Sequence, residues 1–331
     1  MSITQAAPCL LVGDIGGTNA RFALADPTSP GFSQEMTFEC REFESADLAI
    51  SAFLEKIEST QPDVICLAAA GPVINGSVRF TNNNWSLDVG DMKKAFAGAR
   101  VRLLNDFEAI AYSIPHLKPD DCIQVGTTPP ADLTRADFTI GIVGPGTGLG
   151  AAGLLQRNGR ATPVIGEGGH VGFAPETTLQ MELHEQLAGQ FERVCDERLV
   201  SGPGLVNIYR ALGNIRGKKP ADLNAAEIFA LASENGDAIA QETIDIFFEV
   251  LGQVAGNLAL SLGAYDGVFI GGGIVARKPE LIADSQFRAG FERKGRHRSL
   301  MERIPTQVIV NPQPGLLGAS YCALQTHRGE F

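Results

Sequence analysis

Paired cysteine motifs are missing from this 331-residue chain. Its six cysteines, at 9, 40, 66, 122, 195 and 322, form no Cys-x-x-Cys pair. That excludes a disulfide framework and a zinc ribbon, and it fits a reducing cytoplasm. Cys9 and Cys66 stand inside apolar runs and read as core fillers. Basic charge is short as well: 27 Lys and Arg against 38 Asp and Glu leave a net charge of −11. Nucleic acid and anionic membranes are therefore poor partners. An anionic ligand would need a local positive device: a metal ion, backbone amides or a helix N-terminus. No apolar run approaches the length of a membrane span, and no basic segment followed by an apolar one opens the chain. Neither a span nor a signal peptide is expected. A Walker A loop is missing too, since Gly217-Lys218-Lys219 has no Ser or Thr behind it and follows no strand.

Glycine, by contrast, is plentiful at 38 residues, and apolar residues make up 44 % of the chain. Length and composition suit two α/β domains. In the first part, strands are expected at 9–14, 20–25, 36–41, 63–71 and 101–106, with helices at 46–59 and 90–97 and another ended by Pro115. A second α/β unit begins near residue 120, with strands at 138–143, 151–155, 267–273 and 306–310. Its helices are expected at 177–192, 202–212, 224–233 and 237–262, and a last helix near 315–326. The basic stretch 287–303, FRAGFERKGRHRSLMER, reads as a solvated helix face or loop, with a place near phosphates or at a subunit contact as the alternative.

Two segments echo each other. LLVGDIGGTNARFALA and IGIVGPGTGLGAAGLL each run apolar strand, glycine turn with Gly-Thr, apolar strand. Such a pair suggests a duplicated fold with one phosphate-gripping turn per half. In the first turn, Asp14 beside Gly16, Gly17 and Thr18 offers a carboxylate for a cation next to bare backbone N–H groups. The second, GTGLGA at 146–151, matches the dinucleotide fingerprint, yet AAGLLQRNGR after it reads as a hairpin, where the fingerprint needs a helix. A Rossmann site is therefore rejected. A third turn, Gly271-Gly272-Gly273, is either an ordinary strand-to-helix connection or a surface on which adenosine lies against backbone.

Candidate chemical groups stand near these turns. Asp106, in LLND, either caps the helix that follows or takes a proton from a substrate hydroxyl attacking a phosphate. Glu167 and His170, in GEGGHVGFAP, lie among glycines, so a helical metal pair is ruled out. They read as a loop for a polyol or as a tight turn. NNNW at 82–85 is a polar loop near a sugar or an Asx-turn; Glu197 is a ligand or a surface charge; Ser201 caps a helix.

Together GDIGGTNARFAL, AAAGPV, TNNNW, LLNDFEAIAYSIP, GPGTGLG, GEGGHVGFAP, ERLVSGPGLVNIY and GGGIV cover nearly the whole chain in order. The sequence resembles bacterial glucokinases of the group without the ROK signature, in the hexokinase–Hsp70–actin superfamily. The Cys-rich zinc motif of ROK kinases does not follow His170. The resemblance implies two actin-like (ribonuclease H-like) α/β domains flanking a cleft: a small one of residues 1–116 plus 312–331, and a large one of 117–311. It implies that Gly13, Asp14, Ile15, Gly16, Gly17, Thr18, Gly146, Thr147, Gly148, Gly272 and Gly273 bind ATP, with Asp14 holding Mg²⁺ through water. Asn105, Asp106, Glu167, His170 and Glu197 match positions that hold glucose, and Asp106 matches the catalytic base. A cytoplasmic homodimer making glucose 6-phosphate is the implied protein. A kinase for another hexose or amino sugar, or a non-catalytic sugar sensor, would use the same fold. Gly172 stands where the family often has Asp, which bears on fine sugar preference.

Overall fold

A computed structural model describes residues 7–59, 61–80 and 83–330, apart from the side chains of 233–235. The chain divides into two compact units, Met1–Leu117 with Asn311–Phe331, and Lys118–Val310.

The first unit begins with β1 (Leu10–Ile15), β2 (Asn19–Ala25) and β3 (Phe32–Glu39), an antiparallel meander. After α1 (Ala46–Lys56) comes β4 (Val64–Ala69), parallel to β1. A small hairpin of β5 (Ser77–Arg79) and β6 (Ser86–Asp88) leads into α2 (Val89–Ala95). β7 (Arg100–Asn105) then runs parallel to β4 and feeds α3 (Asp106–Ser113). The sheet order is β3-β2-β1-β4-β7. β4 is buried at every position, which is why VICLAA reads as an unbroken apolar run. α1 buries Ala46, Ala49, Ile50, Phe53 and Leu54, the i, i+3, i+4 stripe of a helix packed on one face. Phe53 meets Phe22 of β2, whose ring in turn meets Phe38 of β3.

The second unit holds β8 (Cys122–Val125), β9 (Phe138–Pro145), β10 (Leu149–Arg157) and β11 (Arg160–Gly166). Four helices follow: α4 (Thr178–Ala188), α5 (Gly202–Ile215), α6 (Ala225–Asn235) and α7 (Ala238–Leu262). Next come β12 (Gly267–Ile270), the short helices α8 (Gly273–Ala276), α9 (Pro279–Ala283), α10 (Phe287–Glu292) and α11 (Arg298–Met301), and β13 (Thr306–Ile309). The last helix, α12 (Pro314–Arg328), belongs to the first unit. The second sheet is ordered β11-β10-β9-β12-β13-β8. Its first five strands repeat the order of the other sheet, antiparallel through the meander and parallel beyond it. β8 adds an antiparallel sixth strand. The repeated meander with parallel strands beside it is the actin-like pattern. The two segments that echo each other in sequence are β1–turn–β2 and β9–turn–β10.

Several expectations are refined. The second glycine turn is tighter than 144–150, since both strands run on until only residues 146–148 lie outside them. A strand, not a helix, follows it, which removes the geometry of a Rossmann site. The basic stretch 287–303 is not simply a solvated face. Arg288 and Lys294 are only 15 % and 6 % exposed, paired with Glu292 and Glu176. α7 is long and apolar enough to cross a membrane by length and composition, but 72 % of its most apolar window is buried in protein. Phe247, Phe248, Val250 and Leu251 are core residues there, so α7 acts as the central helix of its unit.

Close backbone approach fixes where helices sit. α12 crosses α3 at Gly318, where an added Cβ would collide with the carbonyl of Ala109. Gly318→Ala therefore forces two helices apart inside a packed core and costs about 1–3 kcal/mol. A denaturant midpoint that stays at the wild-type value would show that the helices do not approach so closely.

Candidate active site

In the first unit, β1 ends in a hairpin closed by the Gly16 N–H on the Asn19 carbonyl at 2.9 Å. This leaves the amides of Gly17 and Thr18 at the tip. Gly13 has a different reason to be glycine: an added Cβ would lie 2.8 Å from Leu67 and 2.9 Å from Phe22. Asp14 faces Arg21 across the β1–β2 ladder and the start of α12, where a Cβ on Gly315 would come within 3.1 Å of its carboxylate. Burial pushes the Asp14 carboxyl above the usual range, and the Arg21 guanidinium pulls the other way.

The NNNW segment supports the same hairpin. Asn83 Oδ1 accepts the Trp85 N–H at 2.6 Å, an Asx-turn, and its Nδ2 donates to the Gly16 carbonyl at 3.3 Å. Asn82 lies outside the described residues. Trp85 is buried with its indole N–H on the Phe43 carbonyl at 2.9 Å, so the ring anchors the loop. A cavity of about 470 Å³ lies beside this hairpin, lined by Gly17, Thr18, Arg41, Asn83 and Trp85 among others.

At the β7–α3 junction the helix cap is Asn105, where Asp106 was the alternative. Asn105 Oδ1 accepts from Phe107 N at 2.9 Å and Glu108 N at 3.4 Å, and Glu108 Oε2 accepts the Asn105 N–H at 3.4 Å. This reciprocal box satisfies amides that a helix start leaves open. Asn105 Nδ2 also donates to the Gly71 carbonyl at 3.0 Å. Asp106 becomes the first residue of α3, half-buried, with Oδ1 accepting the Phe107 N–H at 2.9 Å. Register places Ile15 beside Ala69 and Ala69 beside Asn105. Asp14 and Asp106 therefore share the carboxyl edge of the sheet, two strands or about 10 Å apart. Ligands of α/β sheets bind at that edge.

In the second unit, four segments gather around the Gly146–Gly148 turn and the strand ends beside it. Gly146 N donates to the Gly148 carbonyl at 2.8 Å, and the Gly146 carbonyl accepts the Gly202 N–H of α5 at 2.9 Å. The 14-residue α5, capped by Ser201 on Gly204 N, thus directs its N-terminus at this turn. Glu197 Oε2 accepts the Leu149 N–H at 2.9 Å, and a Cβ on Gly148 would sit 2.5 Å from that oxygen. Only a glycine lets the carboxylate in. Glu167 and His170 flank a single turn whose glycines lie against β10: added Cβ atoms on Gly168 and Gly169 would meet Ala151 and Leu149. Gly272, at φ 86°, packs on the end of β9, where any side chain would strike the Pro145 carbonyl.

His170 Nε2 lies 4.0 Å from Glu197 Oε2. That is too long for a hydrogen bond, and a hydroxyl oxygen set to one side of the pair reaches both atoms at hydrogen-bond distance. The structure thus brings together Gly146, Thr147, Gly148, Glu167, His170, Glu197, Gly272 and Gly273 in one unit, and Gly16, Gly17, Thr18, Asp14, Asn105 and Asp106 along one edge of the other. Sequence reasoning gave Ser201 a capping role and missed that its helix starts on the glycine turn. The run Ser-Gly-Pro-Gly was the available signal. It also left Asn83 undecided, because its partner Gly16 is distant in sequence.

The glucokinase family model matches residues 11–326. A glucokinase from Caulobacter sp. (strain K31) is 42 % identical over 312 residues, 94 % of this chain and 93 % of that protein. One from Xylella fastidiosa (strain 9a5c) is 43 % identical over 323 residues, 96 % and 95 % of the two chains. Among solved structures, a glucokinase from an Antarctic psychrotroph is similar at a TM-score of 0.86 and 33 % identity, covering 95 % of this chain and 98 % of that one. The ROK hexokinase of Thermus thermophilus shares the fold at a TM-score of 0.69 and 20 % identity, over 97 % and 99 %. The resemblance carried by the motifs holds across nearly the whole length, and the chain belongs to the glucokinase family.

Proposed function

We propose that this protein transfers the γ-phosphoryl group of MgATP to the 6-hydroxyl of glucose, giving glucose 6-phosphate and ADP. The observation that carries the reading is the 4.0 Å separation of a donor and an acceptor, His170 and Glu197, set against a glycine-bordered turn and the start of α5. A sugar hydroxyl bridging that gap takes a hydrogen bond from His170 and gives one to Glu197, the stronger for its charge. The family resemblance assigns Glu167, and Asn105 of the first unit, to the sugar as well. The family resemblance assigns phosphate oxygens to the amides of Gly17 and Thr18 in the first unit and to the Gly146–Gly148 turn in the second, and the adenosine to Gly272 and Gly273. Local dipoles of this kind let a chain of net charge −11 hold a polyanion.

Asp106 accepts the proton as the 6-oxygen attacks phosphorus and the bond to the departing ADP oxygen breaks. The Phe107 N–H and the cap on Asn105 hold its carboxylate in place. Among the described residues no three His, Cys, Asp or Glu side chains form a metal cage. A single carboxylate, Asp14, fits Mg²⁺, which usually keeps most of its waters and leans on phosphates. When bound, the ion would neutralise charge on the phosphates. We place the enzyme in the cytoplasm as a homodimer, on the family resemblance and six free cysteines.

A coupled ADP assay with glucose, fructose, mannose, N-acetylglucosamine and no sugar tests the reading. Glucose should dominate. Sugar binding without ADP release would leave a sensor in place of a kinase. Asp106→Ala should slow glucose turnover by about 10²–10⁴-fold, the usual size of general-base catalysis. Near-normal turnover would remove Asp106 from the mechanism.

Asp14 has an expected cost to stability. Burial raises its carboxyl above the ordinary range in the folded chain, so the folded state prefers the protonated acid. The favourable contribution exists below the unfolded carboxylate range and is lost as pH rises through the raised value. Near pH 7 the ionised group therefore destabilises the ligand-free fold. Asp14→Asn should melt at the same or a higher temperature near neutral pH, with a flatter profile in mild acid, while MgATP turnover collapses. A lower melting temperature would show that Arg21 outweighs burial.

A further inference from the structure

Cys195 has no part in the proposed chemistry, yet it lies against it. Its neighbours clamp it in place: Phe173 N donates to the Val194 carbonyl at 3.1 Å, and Asp196 N donates to the Val171 carbonyl at 3.0 Å. Gly172 and Cys195 thus face one another in a short antiparallel bridge. The clamp joins the loop that carries His170 to the loop that carries Glu197. The Cys195 side chain is 6 % exposed, and its Sγ lies 3.9 Å from His170 Nδ1, within reach of a sulfur hydrogen bond.

We infer that Cys195 is a positioning residue for the sugar site, its thiol setting which nitrogen of His170 carries the proton. The other ring nitrogen decides the sense. Nε2 faces the Glu197 carboxylate, which accepts hydrogen bonds and donates none when ionised. In the neutral ring the proton therefore belongs on Nε2, where it reaches a hydroxyl held between His170 and Glu197. Nδ1 is then a bare acceptor, and the Cys195 S–H donates to it. The opposite tautomer would put two acceptors on either side of the hydroxyl, which has one proton to give. His170 is itself 57 % exposed in its side chain, so without the thiol its ring has few constraints on rotation or tautomer. The inference rests on the reading of the His170–Glu197 gap as a sugar-hydroxyl site.

Long-range ¹H–¹⁵N spectra of the full chain, recorded without sugar and read on the neutral ring, test it directly. The His170 signal is assigned by its loss in His170→Gln. Wild type should show the Nε2–H tautomer, and Cys195→Ala a mixture or the Nδ1–H form. Alongside, the KM for glucose should rise about two- to tenfold, the size of one neutral hydrogen bond, with kcat within about twofold. Cys195→Ser, whose hydroxyl also donates but reaches less far, should fall between the two, and it carries both readings if the alanine variant does not fold. The same tautomer in wild type and in both variants would overturn the inference and leave the proposed activity untouched. A changed tautomer with unchanged glucose KM would instead overturn the placement of glucose at His170.

Discussion

A carboxylate that can reach backbone only across a glycine organises the second unit. Glu197 accepts the Leu149 N–H because Gly148 has no side chain in the way. From that one bond the rest follows. The short turn before α5 is held against the start of β10, beside the end of β9, and the helix N-terminus lands on the Gly146 carbonyl. Gly168 and Gly169 let His170 lie beside β10, and Gly272 brings the turn after β12 onto the same strand end. Side chains at these positions would push apart the segments that give the site its shape.

The two sheets share one topology but are fitted differently. In the first, the carboxylate beside the turn is on the strand itself, Asp14, with the start of α12 packed on it. In the second, it comes from a separate loop, Glu197. Asp14 is pushed toward its neutral form by burial, a condition that a bound cation relieves. Glu197 has a backbone N–H to lean on. The same topology thus carries one buried carboxylate on its strand and one that reaches a strand amide from a separate loop.

Charge works locally here. A net charge of −11 repels a polyanion at long range, so any attraction to one has to come from oriented amides close by. Arg288 and Lys294, two cations of the basic stretch, are spent in partly buried ion pairs with Glu292 and Glu176. They hold α10 and the segment after it in place.

Much of this was legible in the residues. Strand–turn–strand units, the helix near 46–59 and the Ser201 cap of α5 are local, set by side chains within a few positions of each other. That locality also let the hairpin after GTGLGA be told from a Rossmann helix, because Asn158-Gly159 reports the turn directly. Strand ends were less readable: β9 and β10 extend further than their apolar runs because ladder bonds continue through Gly144, Pro145 and Gly150. Asn105 took the cap from Asp106 because a partner across the box, Glu108, secures it. By itself the sequence determined the repeated pattern and the family. Only the tertiary structure decided that Leu149 and Glu197, 48 positions apart, share a hydrogen bond, and that Cys195 lies on the ring of His170. Such pairs depend on loops closed by packing far from either residue, and no short-range preference encodes them.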